Sequence, residues 1–294
     1  SAAPRLTYTA PAMPGPLDLQ APTAAAYFAA LVADEAGFPL LEAAIAVGQD
    51  EDPALDVQGV LVQVDTLAAR LLRRIPADAA PLQRLRLLNR YFFGELGFAG
   101  NVNHYQDPRN SYLHEVLRAR RGIPITLALL YVELATRAGL AAHGVSFPGH
   151  FLVKLRLPAG EVIVDPFSGR SLSREDLIER LAPWRQAFGG EVEPPLAPLL
   201  RAATPRETLA RVLRNLKAIH RASGDRERLA AVLRRLVAVL PRAWDEHRDL
   251  AWVLADLGRL DEAQAEGALY LQHRPGAADA AALRDHLQAC RRLH

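Results

Sequence analysis

Between Gly122 and Gly139 the chain offers an α-helix almost no polar face. Pro124 stands where a first helical residue belongs, a position at which its missing N–H costs nothing. Ile125, Leu127, Leu129, Leu130, Tyr131, Val132 and Leu134 then follow on nearly every side. A helix of that kind belongs inside other elements rather than on a surface. Gly122 breaks the chain ahead of it and Gly139 ends it. With 294 residues, half of them apolar, there is enough chain to build the surrounding layers, as two domains or as one domain plus a repeat array.

What precedes this helix reads as helical. Residues 1–22 hold five prolines and read as a flexible arm. Thr23 is a candidate cap for a helix to about Glu35, and a short helix is expected near Leu40–Val47. Asp52-Pro53 opens a longer one carrying Val57, Val60, Leu61, Val64, Leu67 and Leu71 at helical spacing. Another is expected from about Ala80 to Leu96, and one from Tyr112 to about Arg120. After Gly139 the pattern changes to strands at His143–Phe147, His150–Leu157 and Glu161–Asp165, with a turn at Pro158-Ala159-Gly160. Ser173 starts a short helix, and Pro194, Pro195 and Pro198 mark a linker. The class is α+β: a helical N-terminal half, a core with a small antiparallel sheet over residues 23–193, then helices over 204–294.

The last stretch repeats itself at 34 residues. Gly224 and Gly258, Pro241 and Pro275, Leu216 and Leu250 share that spacing, and Trp244, Ala251 and Ala263 fit the tetratricopeptide pattern. Ala278–Leu293 would cap the stack. Two repeats are fewer than the three usually needed to stand alone, so they should dock on the preceding domain.

Charge excludes little. Lysines and arginines number 35 against 33 acids, and residues 201–294 carry 17 basic and 12 acidic groups. The arginines from Arg201 to Arg242 read either as a solvated helical surface or as a face for an acidic protein segment. They lack interleaved aromatics or a binding motif, so nucleic acid is not the expected partner. The lone cysteine, Cys290, rules out an internal disulfide. Ser1 in the place of an initiator methionine implies a processed or engineered start. With no signal pattern and no bilayer-spanning apolar run, the expectation is a soluble cytoplasmic protein without a membrane partner. His104, His114 and His143 have no ligand spacing, and there is no phosphate loop or dinucleotide fingerprint, so neither metal nor cofactor is expected.

Acyl transfer by a thiol needs a thiolate at a helix N-terminus, an imidazole within reach and a carboxylate to orient it. The chain supplies the helix start at Gly122–Pro124, then His150, then Asp165, but proline holds the place of the nucleophile. A symmetric turn at Pro158–Gly160 would set Asp165 nearer Val153 than His150, so an asymmetric or bulged hairpin is needed to pair them. Thr126, two residues into the helix, and Ser146, four before the histidine, are alternative hydroxyls, but neither has a motif reason to be aimed at His150. Asp107-Pro108-Arg109-Asn110 reads as a cap and turn; it also offers Arg109 as a bidentate carboxylate holder at the border of a cleft.

These segments carry a resemblance. Tyr105-Gln106-Asp107-Pro108-Arg109-Asn110-Ser111, Arg121-Gly122-Ile123-Pro124-Ile125, Phe147-Pro148-Gly149-His150-Phe151 and Val164-Asp165-Pro166-Phe167 resemble the bacterial SirB-type branch of the transglutaminase-core superfamily. Members join a transglutaminase/papain-like core to C-terminal tetratricopeptide-like repeats. The resemblance runs from about Tyr91 to Leu293. It implies that Gly122 and Gly139 match the family's two glycines, that Pro124 stands at the cysteine position, and that His150 and Asp165 match the rest of the triad. Proline at that position is typical of this branch. The implied function is a non-catalytic protein- or peptide-binding or regulatory module, with His150 and Asp165 as a degenerate triad and Asp107, Arg109, Asn110 and Thr126 as candidate binding residues. The rival is a hydrolase or acyl-transfer-related enzyme in which His150 and Asp165 activate water or a substrate group without a cysteine.

Overall fold

The structure, a computed structural model, describes residues 22–188 and 195–293. Apart from Pro22, the proline-rich arm lies outside them, as does Pro194 of the linker.

Local chemistry sets where the first helices start and stop. The Thr23 hydroxyl accepts from the Ala26 N–H and opens α1 (Ala24–Leu31). This helix stops short of Glu35, because Asp34 turns its carboxylate onto the Ala36 N–H and holds a turn there. After α2 (Leu40–Ala46), the next helix begins later than Asp52-Pro53. Asp52 binds the Ala54 N–H in a turn, and Asp56 caps α3 (Val57–Leu72) through the Gly59 N–H. The expected helix to Leu96 splits into α4 (Pro81–Asn89) and a π-helical turn over Arg90–Glu95. That wider turn carries Phe92 and Phe93, whose rings both pack on Tyr131.

The next two strands were also not expected from the sequence. β1 (Ala99–Gly100) pairs in parallel with β2 (Arg121–Gly122), on either side of α5 (Leu113–Ala119). Arg120 ends α5 in the left-handed region, at φ 57°. Then α6 (Pro124–Arg137) runs through the interior, with Leu127, Leu130 and Leu134 at most 2% exposed. Each of those leucines contributes on the order of 2 kcal/mol by leaving water.

Against α6 lies a four-stranded antiparallel sheet in the order β3 (Ala141–Val145), β4 (Leu152–Leu157), β5 (Gly160–Asp165) and β6 (Arg170–Leu172). Both faces are covered. Val153, Leu155 and Val164 join the cluster around α6. Leu152 and Ile163 point the other way, into a smaller cluster with Leu177 of α7 (Arg174–Arg180) and Leu196 of α8 (Leu196–Leu199).

The array follows as α9 (Pro205–Ser223), α10 (Arg226–Val239), α11 (Trp244–Asp256), α12 (Leu260–His273) and α13 (Ala280–Leu293). Gly224 and Gly258, the glycines of the 34-residue spacing, hold the turns at φ 71° and 73°. α13 packs on α11 and α12. The array docks on the core: Leu209, Leu213, Leu216, Leu229, Leu233 and Leu236 belong to the same apolar cluster as α6. Arg235, 4% exposed, is held bidentately by Asp50 at 2.5 and 2.7 Å. Arg206 donates to the carbonyls of Val32, Asp34 and Val239.

Most of the basic run is spent inside the molecule. Arg214 and Lys217 pair with Glu246, Arg221 with Asp249, Arg226 with Asp256, Arg228 with Asp225 and Glu51, and Arg234 with Glu262. Within that run, Arg211 and Arg242 make no hydrogen bond or ion pair among the described residues. This removes most of the run as a free face for an acidic partner.

Candidate functional site at the head of the buried helix

The β4–β5 hairpin needs no bulge. Leu157 faces Gly160 and Val153 faces Val164, so the loop is the two residues Pro158-Ala159. Continuing that register sets Asp165 opposite Leu152. His150 lies two residues before Leu152, at the diagonal position that a long side chain can span. Its backbone is placed by the turn Phe147-Pro148-Gly149-His150, closed by the His150 N–H donating to the Phe147 carbonyl at 3.0 Å. Pro148 suits the second place of that turn, and Gly149, at φ 67°, supplies the positive φ of the third. The expected asymmetric connection is therefore replaced by a tight hairpin and a histidine reaching in from the preceding loop.

The result is a 2.8 Å hydrogen bond between His150 Nε2 and Asp165 Oδ1. Asp165, 1% exposed, also accepts from the Phe167 N–H at 2.9 Å, from the Ser168 hydroxyl at 2.8 Å and from Arg180 at 2.8 Å. Burial alone would raise its pKa; the bond and charge of His150, with Ser168 and the Phe167 N–H, outweigh it and hold the carboxyl well below the usual carboxylate range. Asp165 is thus an ionised orienter whose oxygens are fully engaged. The His150 side chain keeps 17% of its surface exposed, and its Nδ1 makes no hydrogen bond among the described residues.

Pro124 and Ile125, at the start of α6, share a small cavity with His150. It has a volume of about 50 Å³. The remaining walls include Tyr105 and, from the first helix of the array, Arg211 and Asn215. Those two residues are four apart on α9 and so face the same way. The Asn215 amide donates to the Ser111 hydroxyl at 2.8 Å and fixes α9 against the core beside the cavity. Neither Arg211 nor Asn215 is expected from the motifs, since both lie in α9, well beyond the last motif segment in the chain.

The candidate binding residues are placed differently. Thr126 is fully buried, and its hydroxyl accepts from the Ile123 N–H and donates to the Asn110 carbonyl at 2.8 Å. It frames the helix start and is aimed away from attack. Asn110, 3% exposed, ties the Asn101–Tyr105 loop through Asn101 and the carbonyls of His104 and Tyr105. Arg109 folds back on Asp107 in a bidentate pair at 2.7–3.1 Å. Asp107, Arg109 and Asn110 line a separate cavity with Arg118 and Arg121, and not the one at Pro124. Arg109 thus pairs with Asp107 through Nε and Nη2 and borders this separate cavity rather than the one at Pro124. Ser146 is exposed and has no bond to His150. Ser168 binds Asp165 on the side away from His150's bond, through the other carboxylate oxygen. No serine, threonine or cysteine among the described residues hydrogen-bonds His150.

Comparison with known proteins fits this arrangement. The profile described as the transglutaminase-like superfamily matches residues 58–214, more than half of the chain. The chain belongs to the transglutaminase-like superfamily. A tetratricopeptide repeat profile matches residues 216–288 of this transglutaminase-like chain. The first match ends inside α9, between Arg211 and Asn215, so that helix straddles the two matches. A UPF0162 protein of Xylella fastidiosa is 36% identical over 86% of the chain and 90% of its own length. The UPF0162 protein PA3419 of Pseudomonas aeruginosa is 34% identical over 62% of the chain and 64% of its own. A 72-residue stretch, 24% of the chain, is 40% identical to 12% of the F-box only protein 21 of Homo sapiens. No solved structure matches the chain.

Among the described residues no cluster of histidine, cysteine and carboxylate side chains has the arrangement of a metal site. Nor is any helix there long and apolar enough to cross a membrane.

Proposed function

We propose that this transglutaminase-like chain, of the SirB-type branch, is a non-catalytic module that binds an extended protein segment where its core meets its repeats. The reading divides the chain into an arm at 1–22, a core at 23–193 and an array at 204–294, and places it in the bacterial cytoplasm. The observation that carries it is the pairing at the head of α6. Pro124 stands beside His150 at a helix start, where a thiol would be stabilised, and among the described residues no hydroxyl takes its role. Removing the nucleophile from a comparable triad costs about a million-fold in turnover. The frame around the gap is nevertheless complete: an ionised Asp165, an oriented His150 and a cavity. Tetratricopeptide stacks supply elongated surfaces to such sites.

The test is to pan the full chain against phage-displayed random linear peptides, synthesise those enriched and titrate them by calorimetry. Saturable binding of peptides recovered at unchanged mass is expected. Cleaved peptide, with cleavage lost in a folded His150→Ala variant, would establish the hydrolase reading in its place. Failure to enrich any peptide would overturn the binding reading.

A further inference from the structure

The cavity beside Pro124 is chemically one-sided. Its walls hold a guanidinium from Arg211, an imidazole from His150 and an amide from Asn215, and no aspartate or glutamate. Asp165, which holds the imidazole, does not line the cavity and already carries Arg180. Arg211 stands out on its own helix. Further along α9, Arg214, Lys217 and Arg221 all reach Glu246 or Asp249 at 2.5–2.9 Å, whereas Arg211 has no ion pair or hydrogen bond among the described residues. It is half-buried. Guanidinium groups in that situation find carboxylates, usually by two parallel hydrogen bonds.

Size narrows the occupant. About 50 Å³ admits the end of one side chain. Tyr105, Ile123 and Phe151 supply apolar wall for the methylene stem of the entering group.

We propose that this cavity receives the carboxylate of an aspartate or glutamate side chain of the bound segment, paired with Arg211 and bordered by His150. The site is built jointly by core and array, so the vacated acyl-transfer cleft becomes an acidic-residue pocket. The inference rests on the peptide-binding reading, and names what the peptide must contain.

The probes are N-acetyl-glutamate amide and N-acetyl-glutamine amide, titrated into the full chain while the side-chain Nε–Hε signal of Arg211 and the ring signals of His150 are followed by NMR. A saturable shift with the glutamate probe is expected, with at least a ten-fold weaker response to the glutamine probe. Arg211→Gln should weaken the glutamate response at His150 at least ten-fold while leaving the thermal unfolding midpoint in place, because Arg211 makes no hydrogen bond or ion pair among the described residues. Arg211→Lys should recover part of it. Equal responses to the two probes, no response to either, or an unchanged response in Arg211→Gln would overturn the pocket. Phage-selected peptides that lack acidic residues and bind Arg211→Gln normally would also overturn it, and would leave the peptide-binding reading intact. A glutamate response on Arg211 with no peptide enriched would do the reverse.

Discussion

At the scale of single residues the account turns on Pro124. It lines the same cavity as His150, at the first position of a fourteen-residue helix. A thiol there would feel both the helix N-terminus and the imidazole, and each lowers a cysteine pKa. Pro124→Cys is accordingly expected to react with iodoacetamide at pH 7 about ten times faster than Cys290 does, by the usual effect of such surroundings on thiolate fraction. Cys290 sits in α13, with His286 Nε2 3.9 Å from its sulfur. Adding His150→Ala should remove most of the gain. Equal labelling of the two cysteines, read by peptide mass spectrometry, would mean that the triad frame is not preserved.

At the scale of elements, α9 and α11 are clamped by a ladder of charge. Glu246 and Asp249, 5% and 9% exposed, receive Arg214, Lys217, Arg221 and Arg248. Burial pushes the Asp249 pKa up, but the hydrogen bonds and charges of Lys217, Arg221 and Arg248 prevail and bring it to about 2. An ordinary aspartate titrates near 4. The folded value is the lower one, so the stabilisation is complete above about pH 4 and is lost as pH falls toward 2, on the order of 2 kcal/mol. Urea midpoints measured from pH 5 to pH 2 should fall accordingly. In Asp249→Asn the pH 5 midpoint should be reduced and the acid slope flattened; an unaltered slope would show that the ladder carries no linkage.

The elements also show what was legible beforehand. The interior helix, the turn glycines at Gly224 and Gly258 and the hairpin strands follow from periodicity and from residues with one conformational use. The β1–β2 pair and β6 are two and three residues long, too short to display any period. Gly100 shows its reason only in the fold, where the Phe167 ring lies 2.4 Å from where a Cβ would stand. His150 and Asp165 were visible because their motifs are local. Arg211 and Asn215 were not, because nothing near them in sequence marks which arginine of a basic run is left unpaired.

At the scale of the molecule, core and array share one apolar cluster and the buried Arg235–Asp50 pair. Urea unfolding should therefore be a single transition, coincident by far-UV circular dichroism and, in a Trp184→Phe background, by the fluorescence of Trp244 and Trp252 in the array. Asp50→Ala strands a buried guanidinium, and is expected to lower stability by roughly 3–5 kcal/mol while keeping the two signals together. Separate transitions in the unaltered chain would show that the array folds on its own. The Pro124 pocket would then be a seam between independent bodies.

The most direct measurement of the central claim is covalent trapping. The wild-type chain and Pro124→Cys are incubated with an excess of an activated ester, digested, and the peptide spanning Gly122–Thr126 is weighed. Wild type should show that peptide at its unmodified mass, and Pro124→Cys should show it acylated in a His150-dependent way. An acyl group on the wild-type peptide, whose only side-chain nucleophile is the buried hydroxyl of Thr126, would contradict the account.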